Sequence, residues 1–531
     1  PIPLIIIFNP MKKLVNDLSL KPGQKLLSYI VEDWKLLLLL TIIFALYFYY
    51  TCTFDVFEKR GIPYMKPVIF LGNLGPRLSG KKSFHEFQLQ IYNYFKGQPY
   101  GGHFEGRRPL LNILDPDLIK AITIRDSEYF TDRVSLRSKE PKYIKQSLLN
   151  LKGAEWKGVR STLTPVFSSA RLRHMLPLID LCTHQMVEFL KQYDKKDVEM
   201  KQTMGHFTLE VIGACAFGIK CDALTDENAH FVKVSRGYLY KKITLIILFS
   251  FLIFMPDLIK YLRFSFLNLE STEDLVSMLK ATKAERRVSG SKNTDFLQIM
   301  VDFANKEKSE NGKSEILLDD DTIDAQCLLF LIAGYETSST LLSFAIHVLA
   351  TKPELQEKLR AHVHEMTDGK EISYELLAEL TYLEAFLLET LRMYPPVSRI
   401  DRVCTKPYVL PGTNVQMRPG DVASIPLYGL HMDPDIYPDP QEIKPERFMN
   451  EQKQERPSHL YLAFGVGPRN CIGLRFAMIS AKMAMVALLK NFKFSTCGKT
   501  LDPIPFDKKS LLLKAESGLW VRIETLQTIQ S

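Results

Sequence analysis

Four groupings of side chains in this sequence have the types and spacing that chemistry requires. The first is Cys471 in Phe464-Gly-Val-Gly-Pro-Arg-Asn-Cys-Ile-Gly473, on irregular backbone before a helical pattern over Leu474 to Leu489. Amides near the sulfur and the positive end of the following helix favour a thiolate, and the glycines let backbone approach a flat cofactor. The second is Trp156 with Arg160, four apart, which on a helix present an indole N–H and a guanidinium to one carboxylate. The third is Glu389 with Arg392, three apart and close enough for a bidentate pair, with Arg447 of PERF as a third member. The fourth is Ala333-Gly-Tyr-Glu-Thr-Ser338 inside a long apolar helix. There Gly334 costs about 1 kcal/mol relative to alanine, and Glu336 and Thr337 supply an acid and a hydroxyl for a proton relay.

Each grouping also has a plain structural reading: an inert buried cysteine, solvated surface arginines, an exposed helical ion pair, a back-bonded threonine. Their coexistence tips the balance. The cysteine segment matches FxxGxRxCxG at all five fixed positions, Phe464, Gly467, Arg469, Cys471 and Gly473, and Glu389-Thr-Leu-Arg392 is followed by Tyr394-Pro395-Pro396 and then PERF. The chain thereby resembles the cytochrome P450 haem-thiolate enzymes over nearly its whole length. That resemblance implies a mainly α, triangular cytochrome P450 fold with small β-sheets, holding haem b.

It further implies that Cys471 is the proximal iron ligand, and a thiolate there pushes electron density into the iron to favour O–O cleavage. Phe464 would pack near the sulfur, and Arg469 would pair with a haem propionate. Trp156 and Arg160 resemble the family's WxxxR propionate contact, and Arg133 and Arg402 its other propionate-binding arginines. Gly473 completes the haem-binding segment, and Gly334 opens a groove over the iron, where Thr337 supports oxygen activation and Glu336 helps deliver protons. Glu389, Arg392 and Arg447 would hold the proximal scaffold. The intact acid-alcohol pair points to hydroxylation, in which substrate-H, O₂, NADPH and H⁺ give substrate-OH, water and NADP⁺.

No GxGxxG follows a strand and no flavin domain is apparent, so electrons must come from a separate protein. The resemblance implies NADPH–cytochrome P450 reductase, with cytochrome b5 as a further donor. Lys482, Lys490 and Lys493 are candidate contacts for an acidic flavoprotein, with solvated lysines as the equal alternative. Substrate-contacting regions carry over to Ser135–Tyr143, Tyr240–Phe254, Phe330–Ala333, Val397-Ser398 and Lys508–Leu512. DRVCTKPY and RSTLTPVFSS are most similar to insect xenobiotic-metabolising members of the microsomal class, implying insecticides or plant toxins. A hormone, fatty acid or hydrocarbon would satisfy the same oily lining. A peroxide isomerase and a non-catalytic haem protein share Cys471, and a purely structural membrane protein would bind no haem. His362 and His364 lie on different helix faces outside any HExxH spacing, so surface histidines are expected.

The elements that must position these groups begin with an anchor. Leu36 to Phe54 runs nineteen residues without a charge, about 28 Å as a helix and about one hydrocarbon core. Lys59, Arg60, Lys66, Arg77, Lys81 and Lys82 follow it, which places the large C-terminal part on the cytoplasmic side. Single-pass anchoring in the endoplasmic reticulum membrane is expected. Residues 1–35 read as a leader, partly non-native in that Met11 is a candidate start; 55–67 reads as a proline-containing hinge, stiffened by Gly61-Ile-Pro-Tyr-Met-Lys-Pro67. The turn departs from the family's PGPKP-like form. Residues 68–523 read as one catalytic domain and 524–531 as a tail.

The whole chain has 531 residues, 46% of them hydrophobic, and a net charge of +8 from 68 basic and 60 acidic residues. So small an excess argues against nucleic acid and for an anionic membrane or an acidic partner. Eight cysteines without a CxxC pair suit a reducing compartment. Helical periodicity covers Leu176 to Leu190, Met204 to Cys215, Asp321 to Ala350 and Leu376 to Met393, with Thr351 expected to cap a helix that starts at Pro353. Short strands are expected at Leu110–Ile113, Tyr408–Val409, Val415–Met417 and Leu519–Ile523. Ser289 to Glu315 reads as an exposed connection around a short helix, and Ile243 to Met255 as an oily segment too short to span, suited to the core, to lipid or to the roof of an apolar cavity.

Overall fold

The computed structural model describes residues 22–134, 141–226, 228–238, 268–289, 293–310, 318–449 and 456–527. The oily segment at 243–255 and most of the 135–143 loop lie outside them. The chain divides into two compact units, Pro1–Asp55 and Val56–Ser531.

The first unit contains helix α1, Pro22–Thr51. Its Trp34–Thr51 window has a mean hydropathy of 1.6 and is long and apolar enough to cross a membrane. Thr41 Oγ1 donates to Leu37 O and Thr51 Oγ1 to Tyr47 O, so both threonine hydroxyls in this stretch are satisfied within the helix. Residues 22–35, read as leader, continue the same helix, and the helix stops at Thr51 rather than running to Phe54.

In the second unit the principal helices are α2 (Gly153–Leu163), α3 (Ser169–Lys191), α4 (Met200–Ile212), α5 (Asp320–Thr351), α6 (Pro353–Thr367), α7 (Tyr374–Glu379), α8 (Thr381–Met393), α9 (Leu427–His431) and α10 (Leu474–Asn491). The fold is mainly helical. Helix α5 is the axis of the core: Asp319 caps it through the Thr322 N–H, and Ser339 to Ala350 is buried on every face. Its hydropathy would also pass for a membrane span, but its packing inside the protein accounts for that.

The strands are β1 (Tyr100–Glu105), β2 (Arg108–Ile113), β3 (Asp197–Glu199), β4 (Ile400–Val403), β5 (Tyr408–Val409), β6 (Gln416–Met417), β7 (Val422–Ile425), β8 (Phe492–Ser495) and β9 (Trp520–Thr525). They form sheets ordered β1-β2-β7-β4, β3-β9-β8 and β5-β6. In β4, Arg402 pairs with Ala423 of β7, and Val403 N donates to Asp132 O, which ties Arg402 to the segment carrying Arg133.

Two local expectations are corrected. The helix expected over Leu376 to Met393 is broken at Leu380 (φ −72°, ψ 66°), whose fully buried side chain turns the chain between α7 and α8. Thr351 does not cap α6. It closes α5 with its hydroxyl bonded back to His347 O, and Lys352 takes the cap position ahead of Pro353. The connection expected at 55–67 is packed onto the second unit from Val56 onward: Met65 N donates to Gly102 O, Gly102 N to Pro63 O, and Phe57 and Ile62 are buried.

Candidate active site

The cysteine loop is closed by its own backbone. Cys471 N donates to Phe464 O at 2.8 Å and Asn470 N to Gly467 O at 3.0 Å, a reversal that α10 then continues. Gly467 is needed here for two reasons: its φ is +73°, and a Cβ would lie 1.8 Å from Thr123 O. The close approach that glycine permits is thus to the protein's own backbone at 123. Gly473 differs. Its φ is −88°, a Cβ would meet only Phe167 at 3.7 Å, and its N–H is directed at the Cys471 sulfur.

Cys471 keeps an exposed face although protein surrounds the sulfur closely. Burial pushes the thiol up, while the Gly473 N–H and the charges of Arg160 and Arg133 pull it back. The expectation that amides and helix end alone favour a thiolate is therefore corrected, because desolvation outweighs them. A metal ion deprotonates such a thiol outright.

Four arginines gather at this loop. Arg133 Nη2 donates to Arg469 O at 3.0 Å, and Arg160 donates to Asn470 O at 3.0 Å and Asn470 Oδ1 at 2.8 Å. Arg402, 3% exposed, donates to Asp401 O. Arg469 lies over the Trp156 ring at 3.8 Å and donates Nε to Thr131 O, Nη1 to Leu148 O and Nη2 to Leu151 O. Burial pulls Arg402 and Arg469 down to about 9, and repulsion from Arg133 adds to both. None of the four forms an ion pair with a carboxylate among the described residues. A buried, mutually repelling cation cluster beside a cysteine is chemically matched to a dianion carrying a thiolate-binding metal, and haem with its two propionates is such a group.

The geometry separates roles that the sequence pooled. Arg469 is occupied by three backbone carbonyls, so it clamps the cysteine loop to residues 131–151; Arg133, Arg160 and Arg402 retain more of their donors. Trp156 holds Arg469 by its ring face.

Behind the loop, Arg392 Nε donates to Glu389 Oε2 at 2.8 Å and Nη2 to Oε1 at 3.0 Å, while Arg447 Nε reaches Oε1 at 3.2 Å. Lys444 N also donates to Oε1, and Arg392 caps His431 O and Glu442 O. The Glu389 and Arg392 side chains are fully buried. Sequence reasoning missed His431. Its Nε2 accepts from Leu462 N, so its Nδ1 carries the proton donated to Arg392 O, and its ring stacks on Tyr461. It links the charged triad to the start of the cysteine loop. A histidine inside the apolar run Leu427–Met432 was the available signal.

On α5, Thr337 Oγ1 donates to Ala333 O at 2.5 Å. Gly334 lies against α4, where a Cβ would stand 2.4 Å from Ile212 Cδ1, so a larger residue there would make the Ile212 side chain shift. Glu336 does not stand with Thr337: its Oε1 pairs with Lys201 Nζ at 3.1 Å on the α4 side. Phe330, expected at the substrate, is buried in a ring cluster with Phe167 and Phe296. Val397 and Leu511 are 36% and 42% exposed, and Leu513 N donates to Pro396 O, so two of the expected substrate segments meet. Lys482 is 3% exposed and bound to Glu384 and Leu377 O, which removes it from any partner surface; Lys493 is exposed. His362 is half-buried beside Tyr382 and His364 exposed.

Comparison with known proteins shows the family of the whole chain. The family model "Cytochrome P450" matches residues 62–521. The chain is 38% identical over 514 residues to cytochrome P450 9e2 of Blattella germanica, covering 91% of this chain and 96% of that protein. It is 35% identical to cytochrome P450 6a8 of Drosophila melanogaster (88% and 94% covered) and 34% identical to cytochrome P450 3A41 of Mus musculus (91% and 94% covered). The chain belongs to the cytochrome P450 family and is a haem-dependent monooxygenase that receives NADPH-derived electrons through a redox partner.

Proposed function

We propose that this monooxygenase hydroxylates apolar small molecules of the xenobiotic class, insecticides or plant toxins among them. NADPH–cytochrome P450 reductase is its electron donor, with cytochrome b5 as a second. It works at the endoplasmic reticulum membrane on a single N-terminal span, with Val56–Ser531 on the cytoplasmic side. The observation that carries the reading is the turn Ala333–Thr337, where the Glu336 acid and the Thr337 hydroxyl stand on neighbouring positions of the long core helix α5. Similarity to insect and mammalian cytochromes P450 supports the substrate class.

Haem bound through Cys471 supplies oxygen activation and atom transfer. Arg133, Arg160 and Arg402 would hold the propionates by charge-assisted bonds, and Arg469 on Trp156 fixes the loop that would present the sulfur. The Gly473 N–H tempers charge on that sulfur. Thr337 Oγ1, now donating to Ala333 O, keeps lone pairs to accept a proton and can redirect its own, and Glu336 supplies the acid. Ala333, Val397 and Leu511 offer apolar surface that orients an oily guest and excludes water. Exposed Lys157 and Arg475, close in sequence to Trp156 and Cys471, are suited to an acidic donor.

The test is turnover by the full chain in vesicles with purified reductase. NADPH-dependent hydroxylation of an apolar insecticide is the expected result. Product from a fatty acid alone would overturn the substrate class, and product without NADPH would overturn the electron route.

A further inference from the structure

The reverse side of α5 holds a buried cation that oxygen chemistry has not yet used. Lys201, the second residue of α4, donates from Nζ to Glu336 O at 3.0 Å, Ser339 Oγ at 2.7 Å and Thr340 Oγ1 at 2.9 Å, and pairs with Glu336 Oε1 at 3.1 Å. The two side chains are only 17% and 16% exposed. A lysine in the first turn of a helix opposes the helix dipole, which favours anions at that end. Glu199 partly offsets this by accepting from the Lys201 and Gln202 amides. Burial pulls the ammonium down, and Glu336 pulls it up. A residue that breaks a local preference and loses hydration needs a compensating interaction, and here every contact converges on one turn of α5.

That turn is next to the oxygen-side hydroxyl. Positions 336, 339 and 340 share one helix face, whereas Thr337 and Ala333 share another, about 100° round. Through two bonds to Glu336, one on its carbonyl and one on its carboxylate, Lys201 decides on which face the acid stands.

We propose that Lys201 is a positioning residue for proton delivery: it holds the Glu336 carboxylate on the α4 face of the central helix, adjacent to Thr337 and out of direct contact with its hydroxyl. This rests on the reading of Glu336 as the acid. Without the cation the carboxylate rotates freely, protons arrive out of register, and reduced oxygen leaves as hydrogen peroxide or water in place of product.

The experiment compares Lys201→Met, Lys201→Arg, Glu336→Gln and the double variant Lys201→Met/Glu336→Gln, each reconstituted with reductase, reading product formed per NADPH consumed. Lys201→Met is expected to keep haem content and lower the ratio about threefold or more, with Lys201→Arg restoring part of it and the double variant no worse than Glu336→Gln alone. An unchanged ratio in Lys201→Met would overturn the proposal, as would a Lys201→Met deficit that persists in full on the Glu336→Gln background. If Glu336→Gln alone leaves the ratio unchanged, it is the acid assignment that fails. Should Lys201→Met take up no haem, the ratio is read in Lys201→Gln, a neutral donor of similar length: a lowered ratio supports the positioning role and an unchanged one overturns it.

Discussion

A guanidinium without a carboxylate is unfavourable to bury, and the loop around Cys471 gathers four. Repulsion acts on Arg133, Arg402 and Arg469, an anionic ligand would relieve it, and Arg392 differs from them in having a carboxylate of its own. Replacing Arg402 by leucine should accelerate haem loss several-fold while leaving the fold intact, measured by haem transfer to an acceptor protein; an unchanged rate would remove Arg402 from the propionate set. Thr337→Ala should lower product per NADPH more than it lowers haem content, and equal coupling in both proteins would reject its proton role. Cys471 with its fixed neighbours and the Glu389–Arg392 pair were legible in the sequence because short spacing brings them together, and Arg447 because PERF resembles the family's following segment. Lys201 and the buried state of Lys482 were not, since each depends on a helix far away in sequence arriving opposite it.

At the scale of the element, the His431 imidazole ties α8 and α9 to the start of the cysteine loop. Burial, reinforced by the Arg392 charge, pulls His431 down to about 3. The unfolded chain therefore binds a proton that the folded one refuses between about pH 6.5 and that value, so this contribution to stability is complete above pH 6.5 and is lost as the pH falls. Unfolding midpoints should drop on acidification, and His431→Gln should flatten that slope; an equal slope would place the acid-sensitive group elsewhere. Truncating Arg392 to alanine leaves Glu389 buried with only Arg447 and the Lys444 amide, and should destabilise by about 3 to 5 kcal/mol, seen as chain that is expressed without haem. Helical periodicity located α5 and α10 within two residues of their observed ends because each has a long apolar run. The break at Leu380 left no such mark: the residue is a strong helix former, and tertiary packing overrides its preference.

The whole molecule is two units with unlike surfaces. The first carries an apolar helix whose outward side chains, Leu36 to Leu40 among them, are exposed, while the second buries its apolar helices around α5. Hydropathy made α1 visible in the sequence, but the same measure also selects α5, and only burial separates them. The small sheets were half legible: β2, β5, β6 and β9 were expected, whereas β1, β3, β4, β7 and β8 were not, and β3, β4 and β7 gain their pairing from distant chain. A chain beginning at Val56 should fold and take up haem, with most of its membrane association lost in a flotation assay; failure to bind haem would show that the first unit is needed for folding.

The central claim is a bond from the Cys471 sulfur to haem iron, and the carbon monoxide difference spectrum of the reduced, purified protein tests it most directly. The red-shifted Soret band of a thiolate-ligated haem is expected, together with its loss in Cys471→Ser. A band at the position of a nitrogen-ligated haem in the active protein, or a thiolate band that survives the substitution, would contradict it.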